Sequence, residues 1–228
     1  MGNAGMIYMV TTVFSLTVLI LSASAAKYDY FQFTQQYQPA VCNSNPTPCK
    51  DPADKLFTVH GLWPSNWTGP QPQNCTNTTV NPLTIKILKA QLEIIWPNVL
   101  NRADHELFWR KQWAKHGTCG SPAIRDDMHY FQTVIKMYIT QKQNISKILS
   151  KAKIEPEGRS RKVVDIENAI RNGNNNTKPK LKCQNNNGTS ELVEVSLCSN
   201  SNLTQFINCP SPPFPKGSPY ICPANVQY

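Results

Sequence analysis

Acidic residues are scarce in this chain: 14 Asp and Glu stand against 23 Lys and Arg, a formal net charge of +9 over 228 residues. The shortage favours a polyanionic partner such as nucleic acid, acidic polysaccharide or anionic lipid; a charged surface that merely keeps the protein soluble is the competing reading. Long apolar runs are missing beyond residue 26, so no later segment is fit to span a bilayer. Close CxxC pairs are missing too, which disfavours zinc in spite of eight cysteines. Neither an internal repeat nor an interdomain linker is visible. The chain beyond residue 26, about 200 residues, suffices for one domain with a sizeable core.

Other features point to export. The apolar run VFSLTVLILSA and the small residues SASAA read as a signal peptide over 1–26, cut behind Ala25 or Ala26 and leaving 27–228 as the mature domain. An uncleaved anchor is the alternative, disfavoured because polar YDYFQF comes directly after. An even cysteine count behind such a leader reads as four disulfides in an oxidising compartment, with ~105 pairings open. N-x-S/T sequons at Asn66, Asn77, Asn144, Asn175, Asn187 and Asn202 agree with a secreted glycoprotein; the one at Asn74 is doubtful because Cys75 sits inside it.

Periodicity places the elements. YDYFQFTQQY alternates as a strand, with Gln32, Thr34 and Gln36 opposite Phe31 and Phe33; KLFTVH is a second strand ending at His60. Gly61 to Pro64 then forms a rigid bend, and Pro64 to Pro82 an exposed loop. Helices are expected over 83–96, 104–116 and 126–141, and LKCQNNNGTSELVEVSLC forms a hairpin around its Asn-Gly turn. The fold class is α+β: an antiparallel sheet packed against several helices in one disulfide-stabilised domain.

The stretch FWRKQWAKHGTCG, residues 108–120, carries the chemistry. On a helix, Phe108, Lys111, Gln112, Lys115 and His116 fall on one face, while Trp109, Trp113 and Ala114 face the core. Two cations beside a histidine suit phosphate oxygens better than zinc. A solvated face with a chance histidine is the bland reading, and His60 decides against it. RNA brings its own nucleophile, the 2′-OH, so cleavage needs a base, an acid and positive charge for the phosphorane. Two histidines and a lysine supply these with no metal or cofactor.

FTVHGLWPS followed by FWRKQWAKHGTCG resembles the two active-site segments of the ribonuclease T2 family, and the likeness extends over the whole mature chain. The opening YDYFQFTQQYQPAVC, the sequons, the basic charge and the C-terminal cysteines most resemble stylar self-incompatibility ribonucleases of apple and pear relatives. The resemblance implies that His60 is the general acid, His116 the general base and Lys115 the phosphorane's partner. It implies RNA contacts from Gln36, Asn98, Val99, Phe108, Lys111 and Gln112, and a 2′,3′-cyclic phosphate product that is slowly hydrolysed. It also implies disulfides Cys42–Cys49, Cys75–Cys119, Cys183–Cys222 and Cys198–Cys209.

One position departs from the pattern. Many members carry a glutamate where this chain has Gln112, which can hydrogen-bond phosphate or orient His116 but cannot relay a proton, so a less acidic pH optimum is expected. By the same resemblance the protein is a secreted monomer that pollen tubes take up, with pollen F-box proteins as partners and no membrane association. Residues 66–80 are expected to carry that recognition. The alternatives are a catalytically weak or dead glycoprotein binding RNA or glycans, or a defence or phosphate-scavenging ribonuclease. His105 and His129 match no motif and read as helix-surface histidines.

Overall fold

Strand β1 (Tyr30–Tyr37) lies in the middle of a sheet between β2 (Phe57–Ser65) and β5 (Thr189–Asn200), antiparallel to both. The computed structural model describes residues 28–44, 49–140, 143–211 and 214–228, so the segment read as a signal peptide lies outside the described residues. The sheet runs β2–β1–β5–β7–β3, with β3 (Ser160–Lys162) and β7 (Asn225–Gln227) at one end; β4 (Lys180–Asn186) and β6 (Phe206–Ile207) also pair with β5. Every pairing is antiparallel except the short parallel one of β5 with β7. The expected hairpin is β4–β5. Its turn residues Asn187 and Gly188 both have positive φ, 50° and 86°, which this pair of residue types adopts readily.

Helices cover the sheet: α1 (Gln38–Ser44), α2 (Pro82–Ile95), α3 (His105–Lys115), α4 (Asp127–Ile135), α5 (Ile145–Lys151) and α6 (Val163–Gly173). Helix α2 starts where Asn81 caps the Leu83 N–H and Pro82 presets φ, and it buries Ile85, Leu88, Leu92 and Ile95. The helix expected over 126–141 instead ends at Ile135 and widens into a π-helical turn over Lys136–Thr140. The change keeps Met137 and Tyr138 buried, and the Tyr138 hydroxyl donates to the Phe57 carbonyl.

Gln32, Thr34 and Gln36 share one face of β1 as expected, but that face is not open to solvent. Gln32, Thr34 and Gln36 are only 8, 0 and 6% exposed, flanked by the residues of β2 and β5 paired with them on either side. Burial is made tolerable by pairing: Gln32 Nε2 donates to Ser65 Oγ at 2.8 Å, and Thr34 Oγ1 lies 2.8 Å from Ser196 Oγ. The expected bend at Gly61–Pro64 is not there either. Strand β2 runs through to Ser65 with Pro64 opposite Phe31; as an edge strand it tolerates proline, and the exposed loop begins only at Asn66. Disulfides join Cys42–Cys49, Cys75–Cys119, Cys183–Cys222 and Cys198–Cys209 with Cα–Cα distances of 4.9–5.3 Å, inside the ordinary range.

Candidate active site

His60 occupies an irregular point in the sheet. Thr34 pairs with Gly61 and Gln35 with Val59, so His60 is the extra residue of a β-bulge. Bulges re-aim side chains, and this one turns His60 toward β5. Its Nδ1 lies 2.8 Å from Glu194 Oε1, and its carbonyl accepts the Trp96 Nε1–H at 3.0 Å. Glu194 also meets Lys182 Nζ at 3.2 Å through Oε2. Burial pushes the Glu194 carboxyl up, but the hydrogen bond and charge from His60 and the charge of Lys182 outweigh it and hold it down at about 2. An ionised carboxylate only accepts, so the His60 hydrogen sits on Nδ1 or on both nitrogens when the ring is protonated. Nε2 is left for the cleft.

His116 has different surroundings. It stands just past α3 as its C-cap, its N–H donating to the Gln112 carbonyl, and its ring has no carboxylate partner among the described residues. Burial, then the charges of Lys115 and His60, push its pKa down to about 4. It is a neutral imidazole at ordinary pH, fit to take a proton.

Trp63 links the two. Its indole lies edge-on to His60 at 5.1 Å and against His116 at 5.3 Å. Gln112, only 9% exposed, accepts the Trp63 Nε1–H at 3.0 Å. Gln112 therefore orients the indole, rather than His116 directly. A Cβ on Gly61 would collide with both Trp63 and Gln112, so glycine is required there by close approach. Trp109 and Trp113 of α3 are buried as expected, but Ala114 is exposed: a step of about 100° from Trp113 carries it past the edge of the packed stripe.

A cleft of about 790 Å³ opens beside His60. Of the expected RNA contacts, Gln36, Asn98, Val99, Phe108 and Lys111 line it with His60, whereas Gln112, Lys115 and His116 do not. Phe108 faces the His60 ring at 6.3 Å, nearly parallel. His105, read as a plain surface histidine, holds a residue of this wall in place: its Nδ1 accepts the Asn98 N–H at 2.9 Å and its ring stacks on Trp109. His129 is half-buried, its Nδ1 3.3 Å from the Arg125 N–H. Trp63 and Glu194 are the site residues that sequence reasoning missed.

The loop of residues 66–81 is exposed yet tied to α3. Asn74 N–H donates to the Lys115 carbonyl, Cys75 is bonded to Cys119, Trp113 Nε1–H donates to the Thr78 carbonyl, and Arg110 reaches the Val80 carbonyl. Among the sequon residues, Asn77, Asn175, Asn187 and Asn202 are exposed and Asn66 partly so. Asn144 is 8% exposed and its Oδ1 caps α5, a poor setting for a glycan. Among the described residues no group of three or more His, Cys, Asp or Glu side chains could hold a metal ion, and no helix is long and apolar enough to cross a membrane.

These shifts make stability depend on pH. Between 6.5 and about 4 the unfolded chain protonates His116 while the native one does not; His105 and His129, also lowered by burial, add in the same sense. Between 4.5 and about 2 the same holds for Glu194. In both windows the unfolded state binds more protons, so stability falls as pH falls. Thermal unfolding should show Tm dropping from pH 6.5 to 2, and His116→Asn should flatten the part of the curve above pH 4.

A model of the Ribonuclease T2 family matches residues 28–209. The chain is 72% identical to "Ribonuclease S-7" of Pyrus pyrifolia, with all of both chains covered. It is 33% identical to "Ribonuclease 1" of Arabidopsis thaliana over 93% of this chain and 91% of that one. Among solved structures, Japanese pear S3-RNase superposes with a TM-score of 0.83 at 62% identity, covering 88% of this chain and all of the other. Ribonuclease MC1 from the seeds of bitter gourd gives 0.75 at 30% identity, over 88% of this chain and all of that one.

Proposed function

The chain belongs to the ribonuclease T2 family and is an endoribonuclease, and from that premise we propose that it cuts single-stranded RNA between His116 as base and His60 as acid. The observation that carries this assignment is the contrast across Trp63: one imidazole rests on an ionised carboxylate, the other is kept neutral beside a lysine. His116 takes the 2′-OH proton as the oxygen attacks phosphorus. Lys115 faces the charge that builds on the phosphorane oxygens. His60 delivers its Nε2 proton to the departing 5′-oxygen, leaving a 2′,3′-cyclic phosphate. In the slower second step the roles reverse: His60 takes a proton from water, and His116 returns one to the 2′-oxygen to give the 3′-phosphate.

Each proton has a side-chain donor or acceptor in this scheme. Cleavage of RNA in EDTA should therefore proceed at full rate and leave cyclic-phosphate ends. Loss of activity on chelation, with recovery on adding a divalent ion, would rule the scheme out.

We further propose that the protein is secreted into the style and acts there as a self-incompatibility ribonuclease recognised by pollen F-box proteins. The high identity to the pear S ribonucleases supports this, as does a loop, 66–80, that is exposed and held on a rigid scaffold. Grafting this loop from another allele should change which pollen is rejected, with bulk RNA cleavage kept within a few-fold. Rejection that still follows the parental allele would place recognition elsewhere.

A further inference from the structure

The cleft has a second wall, built by β4 and the C-terminal segment. Lys182 Nζ lies 4.7 Å from the centre of the Tyr220 ring, and Lys180 Nζ lies 4.5 Å from that of Phe214. The two rings are 5.9 Å apart. Lysines two residues apart share one face of a strand, so the pairs form a short ladder. Its inner end is inside the cleft: Lys182 and Tyr220 line it, and Lys182 touches the carboxylate that holds His60. Its outer end leads away along β4. The segment is pinned by the Cys183–Cys222 disulfide and by the Cys183 N–H donating to the Tyr220 carbonyl at 3.0 Å. Tyr220 is nevertheless 45% exposed, and Lys180 makes no salt bridge among the described residues.

Cations interleaved with exposed rings on a rigid support are how proteins hold single strands without reading sequence: phosphates meet the charges and bases stack on the rings. We propose that the Lys182–Tyr220 and Lys180–Phe214 ladder binds the nucleotides beyond the leaving one, a track for RNA on the 3′ side of the cut. The polarity rests on the reading of His60 as the acid, because the group that His60 protonates is the 5′-oxygen of the nucleoside seated in its cleft. The purely structural alternative is that the pairs only fasten the C-terminal segment to the sheet.

Oligodeoxynucleotides containing one ribonucleotide can be cut at one place only, so they test the track directly. One substrate would carry a single nucleotide 3′ to the ribose, a second three, and a third would be extended on the 5′ side instead. For the wild-type protein, the 3′ extension should raise kcat/KM about tenfold, mainly through KM, as expected for stacking one base. Tyr220→Ala should abolish that ratio, Tyr220→Phe should keep it, and Lys180→Gln should weaken its dependence on salt. Thermal unfolding reports whether each variant is folded, and the ratio between the longer and the shortest substrate isolates the track from any change in basal cutting. A wild-type protein with no 3′ advantage, an advantage that survives Tyr220→Ala, or a 5′ advantage that disappears with Tyr220 would each overturn the track. If the wild-type protein cut none of the three substrates, the ribonuclease reading itself would fall.

Discussion

His60→Asn and His116→Asn should each lower RNA cleavage by ~10²–10⁴, the usual loss for a positioned acid or base. The double variant should lose far less than the product of the two, because a step that needs both proton transfers is already crippled by losing one. Single-turnover rates on a defined substrate would measure this; effects that simply multiply would count against a concerted pair. Substrate chemistry can separate the roles further. A nucleoside 3′-(p-nitrophenyl phosphate) releases a weakly basic phenolate that needs no proton. His60→Asn should cut it at nearly the wild-type rate, whereas His116→Asn should remain crippled. The reverse pattern would exchange the assignments.

Glu194→Gln should be the next most damaging change. The carboxylate is 2.8 Å from His60 Nδ1 and 3.2 Å from Lys182 Nζ, so the amide removes the charge that His60 and Lys182 face and offers a donor where only an acceptor fits. A loss of ~10²-fold on RNA is expected, below the ~10⁴ found where a triad carboxylate becomes an amide and traps the wrong tautomer. Because Glu194 acts through His60, the loss should vanish on the nitrophenyl substrate. A variant slow on both substrates would show that Glu194 merely supports the fold.

The two histidines are legible in the sequence because each belongs to a continuous stretch that shows its own element and stop. Glu194 is not, since it stands 134 residues from His60 and looks like any acid in an alternating strand. The bulge escapes for another reason. Alternation continues through residue 60 with nothing to mark the slipped register, which emerges only when β1 is laid alongside. Trp63 reads as part of a bend until the strand is seen to run on to Ser65. Helix α6 goes unread although Val163, Ile166, Ala169 and Ile170 recur at helical spacing and pack on the core, because no start signal marks it: Lys162 at its N-cap makes no side-chain cap. By contrast α2 is plain, because its four buried aliphatic residues, its proline and its Asn81 cap all agree.

The ties between the loop of residues 66–81 and α3 have a consequence for heredity. Apart from Cys75, they draw on main-chain groups of the loop: the N–H of Asn74 and the carbonyls of Thr78 and Val80. A point mutation exchanges a side chain and leaves a carbonyl where it was. Codons here can therefore drift without loosening the helix that carries His116. Inserting or deleting one codon between Asn74 and Val80 is another matter, because it puts the anchors on its two sides out of step with one another. Alleles should differ across this interval in spelling and agree in length. At Asn74, whose φ is 53°, the alphabet is biased toward Gly, Asn and Asp, the residues that adopt this backbone most readily.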